Sequence, residues 1–149
     1  MPRDRPRHPF YARVAERAEH CCEYCLAPEE FSTKEFQVEH VVPRASGRAD
    51  VLDNLALACF RCNLSKATAR TARVADEDRA IPLFNPRSDN WNVCFDFVLV
   101  PGDEVVLIEG KTATGRATAE RPQMNAPHAT RARWNWFLAY ALEAAYVPD

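Results

Sequence analysis

The 149-residue sequence lacks several features that would assign it to a specialised class of protein. No apolar run approaches the roughly 18 residues that a membrane helix needs, so we expect no membrane-spanning segment. The basic N-terminal segment MPRDRPRHPF is not followed by an apolar stretch, and we therefore expect no secretory signal. The sequence also has no internal repeat and no low-complexity segment. These absences favour a soluble globular protein, with the cytoplasm as its default location.

The chain also lacks a strong net charge. A formal charge of −2 is not the overall signature of a nucleic-acid-binding protein. The distribution of charge is more informative, because the segment from Arg61 to Arg73 contains no acidic residue. A local cationic strip can bind phosphate even when the protein is slightly acidic. The candidate phosphate-binding residues are Arg61, Lys66, Arg70 and Arg73.

The six cysteines do not suggest disulfides. Two Cys-x-x-Cys pairs, Cys22/Cys25 and Cys59/Cys62, have the spacing of metal-binding knuckles. Together they offer four thiolates to one tetrahedral zinc ion, which indicates a structural metal site in a reducing compartment. Cys21 competes with Cys22 for the ligand role, but only Cys22 leaves two residues before Cys25. We expect Cys21 to be a small, buried, apolar residue.

Polar residues suited to phosphodiester hydrolysis lie within or next to this cysteine framework. Glu39 and His40 are adjacent, Asn54 follows a loop whose backbone it can fix, and Asn63 comes directly after the last cysteine. A neutral imidazole is a suitable general base, so His40 can activate water. The oxygens of Glu39 and Asn63 suit Mg²⁺ or a similar divalent ion. Adjacent strand residues point to opposite faces, so Glu39 and His40 share one site only if the strand ends or twists there, near Pro43.

Periodicity predicts an order of strand, loop, strand and helix across this region, preceded by another helix. The first helix is predicted from Phe10 to Cys21. The strands are predicted from Phe36 to about His40 and over Leu55–Ala58. The second helix is predicted over residues 63–72, with Asn63 as its N-cap and Lys66 one turn later on the same face.

The second half of the chain predicts a β-hairpin and a long helix. The strands are expected over residues 93–100 and 105–108, around the turn Pro101-Gly102-Asp103. Residues 112–121 form a loop or a short helix, and residues 128–146 form the long helix. We expect one side of the long helix to pack in the core. The residues on that side are Trp134, Phe137, Leu138, Ala141, Leu142 and Ala145.

The central segment closely resembles the HNH endonuclease family, whose pattern is Cys-x-x-Cys, acid-His, Asn-Leu and Cys-x-x-Cys-[His/Asn]-x-x-Lys. The matching positions are Cys22, Cys25, Glu39, His40, Pro43, Asn54, Leu55, Cys59, Cys62, Asn63 and Lys66. The resemblance implies an α+β fold in which a four-cysteine zinc site staples a ββα-metal core. The core with its N-terminal helix would occupy residues 1–75. A hairpin-plus-helix extension, packed on the core, would occupy residues 76–149.

The same resemblance implies roles for the polar residues. His40 would be the general base, Glu39 and Asn63 would bind a catalytic Mg²⁺, Mn²⁺ or Ni²⁺ ion, and Asn54 would organise the loop. Glu39 stands where Asp is commonest in the family, and Asn63 replaces the final His, so the site favours a hard, oxygen-loving ion. The segment Leu83–Arg87 (LFNPR) resembles a C-terminal extension of some bacterial HNH proteins. In that extension a histidine often stands where this chain has Cys94, which we expect to be buried.

Three interpretations of function follow. The first is a metal-dependent endonuclease that cleaves or nicks DNA, with double-stranded DNA as its partner. The second is a zinc-stabilised DNA- or protein-binding module without catalysis; the Glu39-His40 pair with Asn63 favours the first, because a pure zinc module does not need these residues. The third is a partner-binding role for the C-terminal half through its long helix. No base-reading element is recognisable, so we expect low sequence specificity.

Overall fold

A computed structural model describes residues 6–43, 50–66, 69–73 and 78–145, and these residues fall into two compact units. The first unit contains the described residues of Met1–Arg70 and of Asn85–Asp89. The second contains those of Thr71–Phe84 and of Asn90–Asp149. Each unit mixes helices with two-stranded antiparallel sheets, which confirms the predicted α+β class.

The first unit is built around a short antiparallel sheet. Its elements are helix α1 (Tyr11–Arg17), strands β1 (Gln37–His40) and β2 (Leu55–Ala58), and helix α2 (Phe60–Lys66). All four residues of β2 are buried, whereas in β1 only Glu39 is buried. Since side chains alternate between the faces of a strand, Glu39 points to the interior while Val38 and His40 lie on the other face.

Helix α1 is shorter than predicted. The predicted helix extended to Cys21, but α1 ends at Arg17 because Glu19 and His20 adopt left-handed φ values of 53° and 56°. The His20 N–H donates to the Ala15 carbonyl at 2.8 Å, which terminates the helix. The Arg17 guanidinium then reaches across to the Leu52 carbonyl at 2.9 Å.

Helix α2 begins earlier than predicted and ends earlier too. It starts at Phe60, so Asn63 lies within the helix and is not its N-cap. The reason is the cysteine pair: the Cys62 N–H donates to Cys59 Sγ at 3.4 Å, and the Asn63 N–H donates to the Cys59 carbonyl at 2.9 Å. The second knuckle is therefore itself the first helical turn. Of the remaining predicted helix, residues 67–68 lie outside the described residues and Thr71–Ala72 form a strand.

The second unit contains the predicted hairpin. Its elements are β3 (Thr71–Ala72), β4 (Ile81–Pro82), α3 (Trp91–Cys94), β5 (Phe95–Val100), β6 (Val105–Gly110), α4 (Ala113–Glu120) and α5 (Pro127–Ala145). Strands β5 and β6 pair antiparallel around the 101–103 turn, and α4 is the short helix of the two alternatives predicted there. The predicted strand from residue 93 was wrong at its start. Residues 91–94 form a helical turn, capped by the Asn90 side chain.

The predicted core-facing side of α5 was wrong in part. Leu138 and Leu142 are 45% and 72% exposed, Ala141 is exposed too, and the side chain of Ala145 lies outside the described part of the chain. Among the described side chains of α5, those of Thr130 and Arg133 are buried instead. The Arg133 guanidinium is satisfied by donating to the Val106 and Met124 carbonyls at 2.6 and 2.8 Å, a role that its charge conceals in the sequence.

Aromatic residues cover another part of this helix. Phe97 of β5 packs against Trp91 at 4.8 Å and against Phe137 of α5 at 4.9 Å between ring centroids. The Trp136 ring lies 4.7 Å from Phe137. Half-buried rings at these separations stabilise the unit beyond their buried area.

Gly115 of α4 makes the closest backbone approach in the second unit. A Cβ at this position would overlap the Cys94 carbonyl oxygen, and the Gly110 Cα would lie 3.2 Å away. Since both are backbone atoms that cannot rotate aside, we expect Gly115→Ala to lower the free energy of unfolding by about 1–3 kcal/mol.

Thermal and urea unfolding check this prediction, and the same chain offers a matched control. A Cβ on Gly102, in the β5–β6 turn, would meet nothing within 4 Å. Gly102→Ala should therefore leave stability unchanged or raise it slightly. Equal effects of the two substitutions would contradict the proposed close approach.

Candidate functional site

The four cysteines predicted as zinc ligands lie together in the first unit. Their sulfur atoms are all within 4.8 Å of one another, and the sulfurs of Cys25 and Cys59 are 3.8 Å apart. A tetrahedral ion with Zn–S bonds near 2.3 Å separates its sulfurs by roughly 3.8 Å. Cys22, Cys25 and Cys62 are buried, and Cys59 is half-buried. The donor set and its spacing fit a structural zinc ion.

The protonation of these thiols depends on a cation. Burial raises the pKa of the Cys22 thiol well above its ordinary value. Hydrogen bonds from Cys22 and the other two thiols lower the pKa of Cys59. Without a cation, some of the four thiols would therefore keep their protons. Zinc binds thiolates, so its binding would release these protons.

The first knuckle is fixed to the sheet by two residues that we did not single out in the sequence. The Glu23 N–H donates to the Leu57 carbonyl at 2.9 Å, and the Glu23 carboxylate accepts from the Leu57 N–H at 2.8 Å. The other carboxylate oxygen is paired with Arg87. Arg87 is the last residue of the LFNPR segment, so that motif was the signal that could have identified this contact.

Cys21 and Cys94 lie outside the cluster. Cys94 is buried, as expected. The expectation for Cys21 was wrong, because its side chain is partly exposed and its thiol donates to the Glu19 carbonyl at 3.5 Å. The left-handed turn at residues 19–20 directs the Cys21 side chain away from the interior. The backbone of Cys21 forms an isolated antiparallel β-bridge with Pro28.

His40 ends strand β1 with its side chain only 21% exposed. Its Nε2 atom lies 3.1 Å from Oδ1 of Asp50. His8, from the segment before α1, places its own Nε2 at 2.8 Å from the same oxygen. Hydrogen bonds from His8 and, to a smaller extent, from His40 lower the pKa of Asp50, so this residue is a carboxylate at neutral pH. Sequence reasoning missed both His8 and Asp50.

Asn54 lies beside the end of β1 and is 3% exposed. Its side-chain oxygen accepts from the Val42 N–H and its Nδ2 donates to the Val42 carbonyl, both at 2.9 Å. Its own carbonyl accepts from the Val41 N–H at 2.9 Å. Asn54 therefore holds the two residues that follow His40, in a geometry suited to the predicted role of organising this loop.

Glu39 lies on the opposite face of β1 from His40. It is 5% exposed, accepts a hydrogen bond from the Tyr24 hydroxyl, and has Lys66 Nζ 3.5 Å from Oε1. Burial raises the pKa of the Glu39 carboxyl, and Lys66 and Tyr24 oppose that shift. The Lys66 ammonium would compete with a divalent cation for Oε1, whereas Oε2 has no hydrogen-bond partner among the described residues. Glu39 belongs to a buried ion pair in this structure, and its role as a ligand of the catalytic ion stays a prediction.

Asn63 lies on a cleft of about 290 Å³ in the first unit. The residues that line the cleft include His8, Phe36, Val38, Phe60, Asn63 and Leu64. Gln37 and Val38, which lie on opposite faces of β1, both line the cleft, so it lies at the edge of the strand. No contact between Asn63 and Glu39 or His40 is seen among the described residues.

The predicted phosphate-binding residues differ in their exposure. Arg70 and Arg73 are exposed and Arg61 is half-buried. Lys66 is 4% exposed and is directed to Glu39. Arg70 and Arg73 are therefore accessible to a phosphate, Arg61 is accessible only in part, and Lys66 is not.

Comparison with known families agrees with this geometry. Residues 22–68, which contain both cysteine pairs, β1, β2 and α2, match the family model described as HNH endonuclease. The match covers residues 22–68, so the HNH assignment is made for that segment of the chain. A search of curated proteins and a search of solved structures gave no match. The HNH domain suggests a nuclease-type function and nucleic acid as the general class of partner. No helix within the described ranges is long and apolar enough to span a membrane.

Proposed function

We propose that this chain is an endonuclease that hydrolyses DNA phosphodiester bonds, with His40 as the general base. The observation that carries the proposal is the hydrogen bond of 3.1 Å between His40 Nε2 and Asp50. A carboxylate partner keeps the ring proton on Nε2, so Nδ1 retains its lone pair. Nδ1 of His40 has no hydrogen-bond partner among the described residues and can take a proton from water.

The surrounding residues support this chemistry by position. Asn54 fixes the backbone directly after His40, so the imidazole keeps its direction through two backbone hydrogen bonds. Arg61, Arg70 and Arg73 are the proposed contacts to the DNA backbone, because guanidinium groups bind phosphate oxygens in a bidentate manner. The four cysteines would hold the zinc ion that keeps β2 and α2 next to the first knuckle. Double-stranded DNA is the proposed substrate.

A divalent cation, which membership of residues 22–68 in this family implies, would polarise the scissile phosphate when bound. Its ligands stay a proposal. Asn63 lies on the cleft that His8 also lines and offers an amide oxygen there, whereas Oε1 of Glu39 is engaged by Lys66 and Tyr24. We therefore retain Asn63 as a candidate ligand and assign Glu39 to the buried ion pair.

The engagement of Glu39 favours a second candidate function. If the acidic residue of the motif cannot bind a cation, the domain would be a zinc-stabilised module that binds DNA or a protein without turnover. This module predicts zinc content and DNA retention, but no cleavage with Mg²⁺, Mn²⁺ or Ni²⁺.

Supercoiled plasmid incubated with the purified chain and each of these ions separates the two candidates. We expect nicked or linear product, and a loss of about 10²–10⁴-fold in rate for His40→Ala, because the general base is removed. His128→Ala, on an exposed residue of α5, is the matched control and should cleave at the normal rate. Cleavage that survives in His40→Ala would refute the assignment of the base. DNA retention without cleavage by any variant would favour the binding module.

A further inference from the structure

We infer that Asp50 and His8 are positioning residues that hold His40 in one tautomer and one orientation, and that these three residues are not a metal site. This inference rests on the proposed function. The motif itself supplies neither residue: Asp50 lies 10 residues after His40, and His8 precedes Asp50 by 42 residues. The N-terminal segment would thus complete the active site of the HNH domain.

The three side chains converge on one oxygen atom. Asp50 Oδ1 lies 2.8 Å from His8 Nε2 and 3.1 Å from His40 Nε2. The two imidazole rings stand at 72° to each other with centroids 6.3 Å apart, so neither ring stacks on the other. A carboxylate oxygen can accept two hydrogen bonds through its two lone pairs. The side chains of His8 and His40 are 20% and 21% exposed, so solvent reaches them only in part.

Two histidines and one carboxylate could also be the ligands of a transition metal ion. The other ring nitrogen of His8 decides against this. His8 Nδ1 accepts the Phe10 N–H at 3.0 Å, so it must be unprotonated. A neutral imidazole then carries its proton on Nε2, the atom that faces Asp50. A histidine that binds a metal through Nε2 donates from Nδ1, which is the reverse of this arrangement.

The Phe10 backbone amide therefore determines where the ring protons of His8 and His40 lie. The Phe10 N–H fixes the tautomer of His8, and His8 Nε2–H donates to Asp50. Asp50 is consequently oriented with its lone pair available to His40 Nε2–H. When His40 Nδ1 takes a proton, the ring becomes an imidazolium, and the bond from Nε2 to Asp50 becomes charge-assisted and stronger. The geometry thus favours the protonated product of the base-catalysed step.

The test uses the full-length protein with zinc and has one readout that does not depend on cleavage. In ¹⁵N spectra of the histidine rings, we expect His40 of the wild type to show a protonated Nε2 and an unprotonated Nδ1. Asp50→Asn can still accept both Nε2–H groups on its amide oxygen, so His40 should keep its tautomer while the loss of the negative charge weakens the hydrogen bond and shifts the Nε2–H signal. Asp50→Ala should lose the slowly exchanging Nε2–H signal. An unchanged His40 spectrum in both variants would overturn the inference.

Kinetics give the second readout. We expect Asp50→Asn to lower kcat by about tenfold or more, with little change in KM, and by less than the 10²–10⁴-fold loss expected for the base itself. His8→Ala should lower kcat in the same direction. His8→Gln should restore it, because a glutamine amide can accept from the Phe10 N–H and donate to Asp50. Equal activity of His8→Ala and the wild type would overturn the role of His8.

Metal titration distinguishes the positioning role of His8 and Asp50 from a metal site formed with His40. Zn²⁺ added beyond one equivalent should form no bond to the ring nitrogens of His8 and His40, so both rings should keep their tautomers. A second equivalent bound in the wild type and lost in His8→Ala would overturn the inference in favour of a metal site. If no variant cleaves DNA, the proposed nuclease function fails. The ring spectra would still decide whether Asp50 fixes the tautomer of His40.

Discussion

Substitution of one zinc ligand, Cys62→Ser, is expected to unfold the first unit at room temperature. Cys62 is 1% exposed and lies in the first turn of α2, and the cluster it completes connects that helix to the first knuckle. Structural zinc contributes about 10–16 kcal/mol in small zinc domains. A whole domain is stable by only about 5–15 kcal/mol, so the unit has no reserve that could replace this contribution.

Circular dichroism, a thermal melt and zinc analysis measure the effect. The wild type should contain one zinc ion per chain, and prolonged chelation should reproduce the unfolding seen in Cys62→Ser. The matched control is Cys21→Ser, because Cys21 is adjacent to a ligand in sequence but lies outside the cluster. It should keep both the zinc and the melting temperature. A fully folded, zinc-free Cys62→Ser protein would show that the cluster does not stabilise the fold.

The four-cysteine cluster could be predicted from sequence because its geometry is local. Two residues between cysteines are enough to form a knuckle, so each pair specifies half of a tetrahedron without knowledge of the rest of the fold. The two strands of the HNH domain were predictable for the same reason, since alternation over Gln37–His40 and the apolar run Leu55–Ala58 are local signals. The start of α2 was not, because Cys59 replaces the expected cap at Asn63.

The catalytic side of the site depends on contacts that no short pattern encodes. Glu39 and His40 are adjacent in sequence, but the interior packs against only one face of β1. Glu39 lies on that face because it contacts the buried residues Tyr24 and Lys66. His8 lies before the first predicted helix, and Asp50 lies in the loop between the two predicted strands. Their meeting at His40 is a property of the folded first unit, and no local sequence pattern predicts it.

Loss of either charge from the buried Glu39–Lys66 pair is expected to destabilise the first unit by about 3–5 kcal/mol. The two side chains are 5% and 4% exposed, and Oε2 of Glu39 has no hydrogen-bond donor among the described residues. Glu39→Gln would leave the Lys66 ammonium buried without a counter-charge, and Lys66→Met would do the same to the carboxylate. The double variant should lose less stability than the sum of the two single losses, because neither charge remains unpaired.

Urea unfolding of the wild type, the two single variants and the double variant measures this coupling. Cleavage assays of the same proteins test whether Glu39 is a metal ligand. If Glu39 instead served only as a ligand of the catalytic ion, Glu39→Gln would abolish cleavage. The unfolding midpoint would then stay unchanged, because the carboxylate would not be needed to balance the charge of Lys66. Glu35→Ala is the control: Glu35 pairs with Arg7 at 2.6 Å on an exposed surface, so its loss should have little effect. A large midpoint shift in Glu39→Gln that is relieved by Lys66→Met would assign the acidic residue of this motif to the core of the domain. The search for the ligands of the catalytic ion would then turn to the cleft that His8 and Asn63 line.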